Sequence, residues 1–123
     1  MEILVIDDDA AVRKFISTAL KTEHYTVFEA DNGKTGLMIL QIQHDISVII
    51  TDLIMPEMEG IETIIEVRQK YPAIKILAIS GGGKVSPENY LVLANAFGAN
   101  NTLKKPFSRQ ELIKVIGNLD TGC

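Results

Sequence analysis

Ile3-Leu4-Val5-Ile6 is an apolar run with no polar alternation, so it predicts a strand buried on both faces. Val12, Phe15, Ile16, Ala19 and Leu20 then recur at helical spacing and predict an amphipathic helix over about residues 10–21. Tyr25-Thr26-Val27-Phe28-Glu29-Ala30 reads as a second strand, closed by Asp31-Asn32-Gly33. A second helix follows over about residues 34–43, with Leu37, Leu40 and Ile42 among its apolar positions and Gly36 weakening it. Val48-Ile49-Ile50-Thr51-Asp52 is rich in β-branched residues and predicts a third buried strand that ends on a carboxylate. Pro56 and Gly60 turn the chain into a third helix carrying Ile61, Ile64, Ile65 and Arg68, which stops before Pro72.

Ile74 to Ser80 forms the fourth strand and delivers a hydroxyl at its end. Gly81-Gly82-Gly83-Lys84 lacks the upstream glycine and the following Ser or Thr of a P-loop, and reads as a mobile loop. Ser86-Pro87 starts a fourth helix that runs to about Phe97, with Gly98 as its stop. Asn101-Thr102-Leu103-Lys104 is a weak fifth strand. Ser108-Arg109-Gln110-Glu111 is a capping box for a last helix with Leu112, Val115, Ile116 and Leu119 on its apolar face. Strand and helix thus alternate along the whole chain, which predicts a parallel sheet with helices on both faces and right-handed crossovers. That is a five-stranded doubly wound α/β domain, one domain over residues 1–123; periodicity leaves its strand order open.

Composition narrows the class of protein. Of the 123 residues, 46% are hydrophobic and 23% charged, a globular balance, and the net charge of −4 comes from interspersed acids and bases. No basic face for nucleic acid is visible, and no apolar run approaches the roughly 18 residues of a membrane span. The start Met1-Glu2-Ile3-Leu4 has no basic n-region, so no signal peptide is expected. The single cysteine, Cys123, excludes an intramolecular disulfide and makes a reduced, cytoplasmic setting the expectation.

In a doubly wound sheet the functional side chains gather at the carboxyl ends of the strands. Here those ends supply Asp7 and Asp8, Asp52, Ser80 and Lys105. Asp8 or Asp9 can cap the first helix, but three successive aspartates after a buried strand ask for a cation. Mg²⁺ suits, because it takes one or two carboxylates, keeps waters and uses a phosphate as a further ligand. A lysine and a small hydroxyl on the same rim suit the other oxygens of a phosphoryl group. The chemistry suggested is phosphoryl transfer to a carboxylate.

These motifs, in order and each at its strand end, resemble the receiver domain of two-component response regulators. They are Leu4-Val5-Ile6-Asp7-Asp8-Asp9, Asp52 with Met55-Pro56 and Gly60, Ser80, and Lys105-Pro106-Phe107. The resemblance covers essentially the whole chain and implies a flavodoxin-like (βα)5 fold. It implies Asp52 as acceptor of a phosphoryl group from a sensor histidine kinase or phosphotransfer protein. It also implies Mg²⁺ held by Asp8, Asp52 and the backbone carbonyl of Ile54, with Asp7 acting mainly through a water. Lys105 would pair with the phosphoryl oxygens, Ser80 would swing towards them, and the Lys105-Pro106 bond would be cis. Asp9 is assigned to helix capping. The implied chemistry is self-catalysed phosphorylation and autodephosphorylation rather than turnover of a small-molecule substrate. The implied output is a change in the surface of the fourth helix, fifth strand and last helix, read by an output protein or a missing effector domain.

Three features depart from the family's commonest pattern. Thr102 stands where many receivers carry the Tyr or Phe that moves with the hydroxyl. Ile54 and Gly82, at the positions that tune phosphoryl lifetime, offer no acid or amide to orient an attacking water. The stretch from Ser80 to Lys105 runs slightly longer than usual. A receiver-like adaptor without phosphorylation would have lost an acid, the acceptor or the lysine, and all are present. A haloacid-dehalogenase-type phosphatase would place its nucleophile at Asp7, with a Thr or Val two residues after the second aspartate, where Ala11 stands. The sequence leaves open whether this is a complete single-domain regulator or a receiver from a longer protein.

Overall fold

A computed structural model describes residues 1–53, 60–80 and 98–120. Five strands alternate with helices: β1 (Glu2–Ile6), α1 (Ala10–Thr22), β2 (Thr26–Ala30), α2 (Gly33–Ile42), β3 (Ile46–Asp52), α3 (Gly60–Lys70), β4 (Lys75–Ser80), β5 (Asn101–Lys104) and α4 (Arg109–Asp120). The expected helix from Ser86-Pro87, the Gly81-Gly82-Gly83 loop, Ile54, Met55-Pro56 and Cys123 lie outside the described residues.

All strand pairs are parallel, and the sheet order is β2-β1-β3-β4-β5. The chain reverses its direction of travel across the sheet between β1 and β3, which opens a crevice at their carboxyl ends. Asp7 and Asp52 stand at the two sides of it.

The central strands are apolar over residues 3–6, 48–50 and 76–79 because both faces are covered there. Leu4, Ile6, Ile49, Ile76 and Ala78 join one core with Leu40 of α2 and Ile64 and Val67 of α3. Ile3, Val5, Val48, Ile50, Leu77 and Ile79 join the other with Ile16 and Leu20 of α1 and Leu112 and Ile116 of α4. Two apolar positions of the helical patterns are exposed: Phe15 at 43% and Ile42 at 71%. Ile42 is the last residue of α2, beyond the turn that packs on the sheet, and Phe15 instead meets the ring of Phe107 at a centroid distance of 6.1 Å.

Local signals set the helix ends. Of the two aspartates able to cap α1, Asp9 does so, accepting from the amides of Ala11 (2.9 Å) and Val12 (3.3 Å). Asn32 caps α2, and the capping box of α4 closes reciprocally between Ser108 and Glu111. Gly36 costs α2 some helix propensity, but a Cβ there would lie 2.5 Å from Ile6 Cδ1, so its absence lets α2 close over the end of β1. Arg68, read from the sequence only as a position on the third helix, is a polar clamp. It donates to the carbonyls of Pro72, Ile74 and Gly98 and to Asn100 Oδ1, tying the end of α3 to the entries of β4 and β5. No helix among the described residues is long and apolar enough to cross a membrane.

Candidate functional site

Asp7 follows β1 directly and is completely buried, an arrangement an ionised carboxylate tolerates only with partners. Its Oδ1 accepts from the amide of Asp9 at 2.9 Å, and its Oδ2 lies 3.1 Å from the ammonium of Lys105. Asp52 ends β3 at 7% exposure; its Oδ1 accepts from the amide of Leu53 at 2.8 Å and its Oδ2 lies 3.4 Å from Lys105 Nζ. Asp8 is exposed, and its carboxylate has no hydrogen-bond or ion-pair partner among the described residues. Asp7, Asp8 and Asp52 each offer a carboxylate oxygen, and the three lie within 4.8 Å of one another.

Lys105 reaches this cluster from the loop after β5, where its amide donates to the Ser80 carbonyl at 2.9 Å and its peptide bond to Pro106 is cis. Ser80 pairs with Lys104 in register and is fully buried, and its Oγ finds no hydrogen-bond partner among the described residues. Thr102 sits half-buried on β5, opposite Ala78. The Asp9 side chain caps α1.

Charge and burial compete at Asp52. Burial raises its pKa from 3.8 to about 6, against the lowering influence of Lys105 and with a further upward push from Asp7. Burial also opposes the Lys105 ammonium, yet Asp52 and Asp7 together hold its pKa above the ordinary lysine value. Among the described residues three carboxylates gather and one lysine ammonium pairs with two of them, Asp7 and Asp52, so the excess negative charge with all-oxygen donors fits a small hard divalent cation.

Of two further contributors, Arg13 carried no sequence signal and Gly60 was read only as a turn and motif residue. Arg13 donates from Nη1 to the Asp7 carbonyl at 2.7 Å while its Nε lies 3.3 Å from Glu29 Oε1. Gly60 begins α3 against the end of β3: its amide donates to the Leu53 carbonyl, and a Cβ on it would meet the Asp52 carbonyl oxygen and Leu53 Cα. The glycine was legible as a turn residue, but not as the one that lets a helix start beside the Asp52 backbone.

The family model of the response regulator receiver domain matches residues 3–117. A chemotaxis protein CheY homolog of Campylobacter jejuni is 36% identical over 116 residues, spanning 91% of this chain and 86% of the relative. A probable transcriptional regulatory protein of Picosynechococcus is 38% identical over 117 residues, covering 90% of this chain but 45% of its own length. The chain thus spans less than half of that relative. Among solved structures, the chemotaxis protein CheY4 of Vibrio cholerae superposes with a TM-score of 0.84 at 32% identity, covering 95% of this chain and 96% of that one. A receiver domain protein of Clostridium thermocellum gives 0.86 at 30% identity, covering 95% and 91%.

Proposed function

This chain belongs to the response regulator receiver domain family, a family of signalling domains, and from that premise we propose that Asp52 accepts a phosphoryl group from the phosphohistidine of a sensor histidine kinase or phosphotransfer protein. The observation that carries the reading is the buried Asp52 carboxylate, 3.4 Å from Lys105 and within 4.8 Å of two further aspartates at the sheet's switch point.

With its pKa at about 6, Asp52 is ionised in about nine molecules of ten at pH 7, so its oxygen is available as a nucleophile. The Leu53 amide holds one carboxylate oxygen and thereby orients the other. In the transfer, a bond forms between an Asp52 oxygen and phosphorus as the phosphorus–nitrogen bond breaks, and the electron pair returns to the imidazole. Lys105, already poised between Asp52 and Asp7, pairs with the equatorial phosphoryl oxygens. Ser80, whose hydroxyl has no partner among the described residues, donates to one of them afterwards. Asp8 and Asp52, with the carbonyl of Ile54 and with Asp7 through a water, would hold Mg²⁺. When bound, that ion neutralises charge on the carboxylates and on the transferring group. The phosphorylated domain then acts on an output protein or an attached effector domain, and hydrolysis of the acyl phosphate resets it.

The test is incubation with acetyl phosphate and Mg²⁺, followed by mass spectrometry under acidic conditions. One base-labile phosphoryl group should appear on Asp52 and be absent from Asp52→Asn. Equal labelling of that variant at another residue, Asp7 above all, would overturn the assignment.

A further inference from the structure

Arg13 occupies an unusual place for a cation. It is the fourth residue of α1, close to the helix N-terminus, where the partial positive charge of the helix disfavours a guanidinium. Its side chain nevertheless turns back over that end, 21% exposed, and makes two directed contacts. Nη1 donates to the main-chain carbonyl of Asp7 at 2.7 Å, a short charge-assisted hydrogen bond, and Nε meets Glu29 Oε1 of β2 at 3.3 Å. The Asp7 amide donates in turn to the carbonyl of Ala30, the next residue of β2.

Both ends of Asp7 are therefore tied to the same edge strand, its amide directly and its carbonyl through Arg13 and Glu29. The carbonyl matters most for the residue that follows. It belongs to the peptide plane that ends at the Asp8 Cα, so fixing the oxygen fixes the direction in which Asp8 leaves the backbone. Asp7 has its own side-chain anchors in the Asp9 amide and Lys105, whereas the exposed Asp8 carboxylate has none among the described residues. Among the described residues, only the backbone sets its aim towards the cluster.

We infer that Arg13, clamped by Glu29, is a positioning residue that sets the Asp7–Asp8 peptide and so aims the Asp8 carboxylate for cation binding. This rests on the metal reading proposed above. Charge and position predict opposite outcomes, which makes the inference testable. Removing a positive charge beside an acidic pocket tightens cation binding if only electrostatics acts. Losing the clamp weakens it, because outer partners of metal ligands set their orientation.

The experiment is calorimetric titration of the whole chain with Mg²⁺ at fixed ionic strength, joined to amide NMR of the metal-free protein. Arg13→Ala should raise the Kd roughly tenfold, as loss of an outer-shell partner does. Arg13→Lys should also weaken binding, since a single ammonium cannot serve the carbonyl and Glu29 as a planar fork does. Glu29→Gln, which keeps an acceptor, should have a smaller effect of the same sign. An Arg13→Ala protein that binds Mg²⁺ as tightly as the parent, or tighter, would overturn the inference; if that variant does not fold, the same outcome in Arg13→Lys does so. In the metal-free spectra, Arg13→Lys should shift the Asp8 and Asp9 amides and leave Leu53 in place. Unmoved Asp8 and Asp9 resonances would overturn it whichever way the titrations fall. Asp8→Ala separates the two levels: if it binds Mg²⁺ like the parent, the metal reading fails, while the amide shifts still judge Arg13.

Discussion

The ammonium of Lys105 lies 3.4 Å from the carboxylate of Asp52, although Asp52 ends β3 and Lys105 follows β5, with β4 between them. Lys105 spans that gap because the loop after β5 curls over the end of β4, held by the hydrogen bond from its own amide to the Ser80 carbonyl. One short loop thus brings the lysine to the acid and passes the backbone of Ser80 on the way. The pair does not cancel the cost of burying Asp52, whose pKa stays raised at about 6.

The first expectation follows from that imbalance. A rise from 3.8 to about 6 means that the ionised form of Asp52 costs the fold about 3 kcal/mol relative to the protonated one. For a group with a raised folded pKa, the stability of the protonated form is fully present below the unfolded value and is lost as pH rises through the folded one. Asp52→Asn should therefore be more stable than the parent above pH 7 without divalent ions, by up to about 3 kcal/mol. The advantage should shrink between about pH 6 and pH 4. Urea unfolding across that range checks it; an advantage that grows on acidification would show that the Lys105 pair, not burial, dominates at Asp52.

A second expectation concerns the cation. Binding to the native state alone stabilises a protein by about 2.7 kcal/mol at 100 times the Kd. Millimolar Mg²⁺ should therefore raise the melting temperature of the parent and leave that of Asp8→Ala almost unchanged. Without metal, Asp8→Ala should melt slightly higher than the parent, since one of three mutually repelling carboxylates is gone. A full Mg²⁺ response in Asp8→Ala would remove Asp8 from the ligand set.

Gly60 offers a third. A Cβ there would press on the Asp52 carbonyl oxygen and Leu53 Cα, main-chain atoms that no rotamer change can move aside. Gly60→Ala should cost about 1–3 kcal/mol, the range for overpacking a tight contact, and should slow labelling of Asp52 by acetyl phosphate. Denaturation and labelling rates measured together decide the point. A variant as stable as the parent and labelled at the same rate would mean that α3 shifts away freely.

These sites mark how far the sequence could be read. The strands were legible because Ile3 to Ile6 and Val48 to Ile50 are apolar on both faces, and Asp9 and Ser108 announce helix starts by their side chains alone, whereas Asn32, legible only as the close of β2, caps α2. The cluster was legible because acids and a lysine recur at strand ends, where the fold must gather them. The strand order was not, since parallel neighbours are chosen by packing between distant segments. Arg13 and Arg68 were not legible as clamps, because a guanidinium at a helical position usually looks to solvent, and both here reach main-chain carbonyls instead. Phe15 fitted the apolar helical stripe, yet it packs on Phe107 from a half-exposed position that periodicity does not distinguish from a core one.

The last expectation concerns Ser80. Its side chain is fully buried at the end of β4, and its hydroxyl has no hydrogen-bond partner among the described residues, an arrangement that costs about 1–3 kcal/mol for an unpaired polar group. Phosphorylation of Asp52 would bring anionic oxygens beside it and supply the missing acceptor. A hydrogen bond to a charged group contributes about 1.5–3 kcal/mol, so the same hydroxyl that burdens the resting state would favour the phosphorylated one. Thr102, opposite Ala78 on β5, carries no aromatic ring that could fill the space a moving Ser80 would leave, so a switch here would rest the more on this hydroxyl. Ser80→Ala should therefore unfold at equal or higher urea concentration than the parent when unphosphorylated. With beryllofluoride and Mg²⁺ as the phosphoryl mimic, the variant should gain less stability than the parent, by about 1.5–3 kcal/mol. Its β5 amides should also lose the exchange protection that the mimic confers on the parent. A Ser80→Ala protein that is weaker at rest and gains as much from beryllofluoride as the parent would mean that the hydroxyl serves the resting fold and plays no part in the switch.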